Sequence, residues 1–185
     1  MRPSKREHLL DTAERLFYEE GFHATGIDRV VEAAGVARMT LYNHFPSKEA
    51  LVQAVIERRH GRYLGELRDA MAGRGGEPAL SAVIEVHCRW LETVASHGCM
   101  LIKAMGEFER HQAGIHALAL RLKRELLDLI REALAADGLA CGQPQAERVL
   151  MVLEGANALL PVLGVERTLT HTWAMVPAAL RLEVA

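Results

Sequence analysis

Apolar residues recur at helical spacing almost from the start of the chain. Leu9, Leu10, Ala13, Leu16 and Phe17 fall on one face of a 3.6-residue repeat. Ser4 precedes this run and Glu7 follows three residues later, a capping-box pattern that starts a helix, and Gly21 ends it. Ile27, Val30, Val31 and Ala34 make a second, shorter face that runs into Gly35, so a second helix is predicted over about 27–34. A third, over about 38–44, has Leu41 and Phe45 as inward anchors. Pro46 resets the chain and Ser47 caps a fourth helix over about 48–71, along which Leu51, Val52, Val55, Ile56, Tyr63, Leu64 and Leu67 recur.

Residues 73–78, rich in Gly and closed by Pro78, are the clearest linker. Four or five further helices fit the rest, roughly over 79–96, 99–111, 115–136, 143–163 and 168–182, with breaks around Gly98, Gly114, residues 138–142 and residues 164–167. No alternating Val/Ile/Thr pattern marks a strand, and there is no internal repeat or low-complexity tract. The expectation is an all-α fold of about nine helices: a three-helix head over 1–47 and a helical body over 48–185.

Composition narrows the class. Half of the 185 residues are hydrophobic and 5% are aromatic, which suits a sizeable helical core. A net charge of −2 argues against a nonspecific nucleic-acid coat but leaves room for a local basic face. Arg2, Lys5, Arg6, Arg38 and Lys48 place basic residues around the head. Cys88, Cys99 and Cys141 are too few and scattered for a disulfide framework. The N-terminal residues lack the apolar stretch of a signal peptide, and no apolar run reaches about 18 residues. A cytoplasmic protein with no membrane partner and no cofactor is expected.

The chemistry concentrates in residues 21–51. Ala33, Ala34 and Gly35 are small enough for two helices to cross closely, and Val30, Val36, Leu41 and Phe45 plug the junction. Polar groups then cluster on the third helix. Arg38 can donate to guanine edges, Thr40 can meet a phosphate or a thymine methyl, and Asn43 can read adenine or hold a phosphate. Met39 lies among them. Tyr42, His44 and Lys48 fall where a phosphate backbone would pass, and Lys48 opens the fourth helix, whose free amides favour an anion. Two short helices joined by a glycine turn, the second polar on its outer face, describe a helix-turn-helix that reads the DNA major groove.

At Ala13-Glu-Arg-Leu-Phe17, Gly21-Phe22, Thr25, Ala34-Gly-Val36, Thr40-Leu-Tyr42, His44-Phe45 and Ser47-Lys-Glu-Ala-Leu51 the chain closely resembles the N-terminal domain of the tetracycline-repressor (TetR) family of bacterial transcription regulators. The resemblance is specific over about residues 4–52 and only architectural beyond. It implies that Thr25, Thr40, Tyr42, His44 and Lys48 contact DNA phosphates and that residues 37–43 read bases. Gly26 stands where the family has a capping Ser or Thr, which leaves Thr25 as the candidate cap of the second helix. Val31 and Met39 replace smaller residues, so the target sequence does not follow from the resemblance.

For the body, the resemblance implies a ligand pocket and a homodimer joined through the last two helices. Val149, Val152, Leu153, Ala156, Leu159 and Leu160, with Trp173, Val176 and Leu180, are the candidate dimer face; covering the chain's own core is the other reading of the same residues. A dimer would match a palindromic operator. Trp90, Met100, Met105 and Phe108 are candidate pocket residues for a small-molecule effector, with Asn157 as a polar handle or a plain buried amide. Lys103 is either an anion partner in that pocket or an ordinary helix ion pair with Glu107. Gly98-Cys99 resembles a pair in a branch of the family that senses electrophiles through a cysteine, so Cys99 is the candidate reactive thiol against an inert buried one. His87, Cys88, His97, Cys99 and His111 can in principle supply zinc ligands, though no tight ligand spacing occurs among the nine histidines, and no metal site is expected. A helical enzyme is the rival class. No nucleophile–base pair or phosphate loop supports it, and Glu19, Glu20, Glu107 and Glu109 read as surface charge.

Overall fold

The structure is a computed structural model that describes residues 4–139 and 142–181, so Arg2, Cys141 and Leu182 lie outside the described residues. Every regular element among them is an α-helix: α1 (Lys5–Glu20), α2 (Ile27–Ala34), α3 (Arg38–His44), α4 (Lys48–Gly73), α5 (Ala79–Thr93), α6 (Met100–Phe108), α7 (Ala113–Ala136), α8 (Gln143–Leu163) and α9 (Val165–Leu180). The first three agree with the periodicity. The later ends move: α5 and α6 stop three residues earlier than expected, and α9 begins at Val165 because Gly164, at φ +78°, turns the chain in a single residue.

The helices form two compact units, and the division differs from the expected 1–47 and 48–185. One unit takes the chain up to Gly61 together with Met100–Leu122; the other takes Arg62–Cys99 and the chain from Lys123 onward. The first half of α4 belongs with the head because its apolar face and its cations are both satisfied there. Leu51, Val52, Val55 and Ile56 are fully buried, and Arg59 donates to Glu14 of α1 at 2.9 Å with both side chains 9% exposed. Arg58 adds Glu14, Glu7 and Asp11 at 2.8–3.1 Å. Removing one partner of such a buried pair costs about 3–5 kcal/mol because the other charge is stranded. These partners lie more than forty residues apart in sequence, so local pattern does not show the pairing.

In the first unit, Ser4 accepts from the Glu7 amide at 3.2 Å and Gly21 ends α1 at φ +91°, its amide donating to Phe17. Gly35 closes α2 in the left-handed region at φ +63°, where a side chain would be strained, and Val36 N returns to Val31 O at 3.1 Å. In the second unit, Tyr63, Leu64 and Leu67 of α4 pack with α5, the latter half of α7, α8 and α9 around Ile84, Leu91, Ile130, Leu134 and Leu153. Asp137, just past α7, caps α5 by accepting from the Ala79 and Leu80 amides at 2.6 and 2.8 Å, in place of Pro78, whose side chain cannot.

Candidate nucleic-acid interface

The two helices of the reading motif are held by a few buried side chains. Val30 and Leu41 are fully buried, Phe45 nearly so, and Ala34 sits at the crossing. His8 of α1 adds a polar tie, its Nε2 at 3.0 Å from Ala34 O; a carbonyl only accepts, so the ring nitrogen donates. Arg6 lies over the Phe45 ring at 5.2 Å. Neither contact was anticipated from the sequence.

Fixing Leu41 inward turns the rest of α3 outward. Arg38, Met39, Tyr42, Asn43 and His44 are all exposed, Met39 at 69%, and Thr40 is half-buried. These are the expected residues, on one short helix, with none spent on the core. The Arg38 guanidinium donates to Asp28 of α2 at 2.9 Å and stands 5.8 Å from the Tyr42 ring; both partners hold its pKa above the ordinary value, Tyr42 foremost. Both side chains are exposed and the pair is screened by water, so Asp28 orients Arg38 without withholding it.

Lys48 opens α4, with Ser47 Oγ accepting from the Ala50 amide at 3.1 Å. Its ammonium is half-buried and points to His23 O at 3.5 Å. Burial lowers its pKa, and Glu49 and Glu107 only partly restore it.

Thr25 departs from the expectation. It is fully buried, and its hydroxyl donates to Gly21 O at 2.8 Å, with Leu16 O at 3.3 Å. The side chain closes the end of α1 and does not cap α2, whose N-cap, Gly26, makes no side-chain cap hydrogen bond. Glu107, read as surface charge, is also different. Its two oxygens accept the amides of Phe22 and His23 at 3.1 and 2.7 Å.

The residues predicted for the effector pocket divide between the units. Met100, Lys103, Met105 and Phe108 belong to the first. Phe108 packs on Phe22 and His23, with ring centres 5.5 and 4.9 Å apart, and Lys103 donates to Tyr18 O at 3.0 Å while lying 4.7 Å from the Tyr18 ring. Both are engaged with α1 and the turn after it. Trp90, Cys99 and Asn157 belong to the second unit. Trp90 is nearly buried with its ring 5.1 Å from that of Tyr63, and Asn157 donates to Leu153 O at 3.2 Å, the plain buried amide.

Polar groups gather in the second unit on α4, α5, α7 and α8. His87 Nε2 lies 3.1 Å from Leu153 O and must donate, so Nδ1 accepts from the Tyr63 hydroxyl at 2.8 Å. Burial lowers the His87 pKa to about 4 and raises the Tyr63 pKa, so both stay neutral at pH 7. With both ring nitrogens occupied, His87 is no metal ligand, and no group of three His, Cys, Asp or Glu among the described residues is placed to hold an ion. Cys88 is pushed up to about 11 by burial. Lys123 of α7 is hydrogen-bonded to Glu154 and to Cys99; burial pulls its pKa down, and these two partners outweigh it.

The expected dimer face needs the largest revision. Val149, Leu153 and Val176 are fully buried in the chain's own core, and Ala156 and Leu160 nearly so. The apolar side chains that α8 and α9 leave open lie beside them: Met151, Leu159, Val162, Val165, Trp173 and Met175. Met151, Leu159 and Met175 also line a groove of about 370 Å3 along α8 and α9, together with Val152 and Thr172. Of the expected set, Val152, Leu159, Trp173 and Leu180 keep exposed surface. Period alone could not separate the two stripes, because both are apolar.

Residues 9–55 match the model of the bacterial regulatory proteins of the tetR family. The fold is similar to that of a TetR-family transcriptional regulator from Streptomyces coelicolor, at 29% identity and a TM-score of 0.83, covering 96% of this chain and 94% of that one. These similarities support a TetR-family transcriptional regulator. The transcriptional regulator UidR of Escherichia coli is 37% identical over 68 residues, and that match spans about a third of each protein, 37% of this chain and 35% of the relative. The transcriptional repressor NemR of Escherichia coli is 27% identical over 82% of this chain and 81% of its own. These relatives are transcription regulators rather than enzymes. No helix among the described residues is long and apolar enough to cross a membrane.

Proposed function

We propose that this TetR-family protein is a homodimeric, DNA-binding repressor that recognises a palindromic operator and is released by a small-molecule effector held in the second unit. The observation that carries the reading is α3: one buried anchor, Leu41, presents Arg38, Met39, Tyr42, Asn43 and His44 together on an otherwise open helix. Arg38, Met39 and Asn43 read base edges; Thr40, Tyr42, His44 and Lys48 hold phosphates. The open stripe of α8 and α9 supports the dimer, since a second copy would remove Met151, Val162 and Met175 from water. Effector binding and DNA binding are linked reciprocally, with a coupling of about 1–3 kcal/mol typical of such switches. The test is selection of DNA from a random duplex library by the purified protein. An enriched palindrome supports the reading; no enrichment at low salt, before or after refolding to strip bound ligand, refutes it.

A second reading, regulation by electrophiles at Cys99, is favoured by Lys123, whose ammonium is hydrogen-bonded to the half-buried Cys99. A neighbouring cation assists thiolate chemistry, in which the S–H adds across an activated C=C bond. N-ethylmaleimide should then release DNA from the wild type and leave Cys99→Ser bound. Equal release from both proteins would remove Cys99 from the mechanism.

A further inference from the structure

The turn between α1 and α2 is held from outside the helix-turn-helix by the end of α6. Glu107 accepts one amide on each carboxylate oxygen, Phe22 N on Oε1 and His23 N on Oε2. The ring of His23 returns the contact, its Nε2 donating to the Glu107 carbonyl at 2.7 Å. Phe108, the next residue, stacks on both Phe22 and His23. One helical turn earlier, Lys103 caps the Tyr18 carbonyl in the last turn of α1. These ties span 84 or 85 residues of sequence and all lie within the first unit.

The same turn locates two of the groups that matter for DNA. Lys48 Nζ is directed at His23 O, and the buried Thr25 hydroxyl fixes the chain between Gly21 and the first residue of α2. We infer that Glu107 is a positioning residue for DNA binding: by clamping the Phe22 and His23 amides it sets the entry of α2 and the place of Lys48, without touching DNA itself. The inference rests on the DNA-binding reading proposed above. It makes a prediction of unusual sign. Glu107 is an anion in the DNA-binding unit, so on Coulombic grounds alone its removal should tighten binding to a polyanion. Positioning requires the reverse.

The experiment measures affinity for the selected operator with Glu107→Gln, Glu107→Asp and Glu109→Gln, alongside thermal unfolding. Glu107→Gln keeps the shape and loses one acceptor and the charge; Glu107→Asp keeps the charge but is too short for both amides. Both should weaken binding by roughly tenfold, the scale of one lost charge-assisted hydrogen bond, in proteins that remain folded at the assay temperature. Glu109→Gln removes the same charge from an exposed neighbour and should bind as the wild type or more tightly. Glu107→Gln binding as well as the wild type, or both Gln variants weakening alike, overturns the inference while leaving the DNA-binding reading intact. Wild-type protein that selects no DNA overturns both. Should the Glu107 variants not fold, hydrogen exchange in the wild type decides. Phe22 and His23 amides more protected in the DNA complex than in free protein support the clamp, and amides that exchange freely in the complex refute it.

Discussion

Met151 and Val162 give the sharpest test of how two copies would meet. They are 72% and 76% exposed on α8, whereas Val149, two residues from Met151, is fully buried. Truncating Met151 to Ala removes three apolar heavy atoms and Val162→Ala two, worth together about 4 kcal/mol if fully buried at about 0.8 kcal/mol per group. Scaling by the roughly three-quarters of each side chain that is open leaves about 3 kcal/mol per copy. A two-fold interface uses the same patch twice, so the dimer loses about 5–6 kcal/mol, a weakening of its dissociation constant by roughly four powers of ten. Sedimentation equilibrium across a dilution series reads this shift directly. Val149→Ala should behave in the opposite way, lowering the unfolding temperature through a core cavity while leaving the dimer constant nearly unchanged. A Met151→Ala/Val162→Ala double variant that stays dimeric at nanomolar concentration would refute the assignment of this stripe, as would a Val149→Ala variant that dissociates without loss of stability.

Thr25→Val should cost about 1 kcal/mol of stability, the net worth of one hydrogen bond, in urea unfolding and leave operator affinity nearly intact; a large affinity loss in a stable protein would mean the side chain meets DNA after all. Lys48→Ala should weaken binding to every sequence and lower the slope of log K against log salt by about 0.9, while Arg38→Ala should cost about 1–3 kcal/mol and relax preference at one base pair, both read in salt-dependent titrations. His87 should make the fold acid-sensitive. Its folded pKa of about 4 lies below the ordinary 6.5, so its stabilising share is complete above pH 6.5 and is lost as pH falls toward 4. The loss is on the order of 2 kcal/mol by pH 5. Denaturant unfolding of wild type and His87→Gln at pH 8 and pH 5 should show that decrement in the wild type alone.

Local chemistry was enough for the reading head. Ser4, Gly21, Gly35 and Ser47 punctuate α1 to α4 where caps and a left-handed turn require them, and the inward pair Leu41 and Phe45 dictates which side of α3 faces out. Such features act over three or four residues, so they are written in the order of the chain. What joins distant segments was not legible. Glu107 and Glu109 are two acids only two residues apart in sequence, and only the folded chain brings the amides of Phe22 and His23 to one of them. Glu14 and Arg59, and Asp137 and the start of α5, are partnerships of the same kind. The two apolar stripes of α8 and α9 show the other limit. Helical period marks a residue as apolar and on a face, but which face meets the chain's own core is decided by the helices packed around it. Val149 therefore lies in the core while Met151 stays open, and Phe108 and Lys103 pack on the head. A periodic pattern specifies an element, whereas a partner is specified by three-dimensional proximity, which no single segment contains.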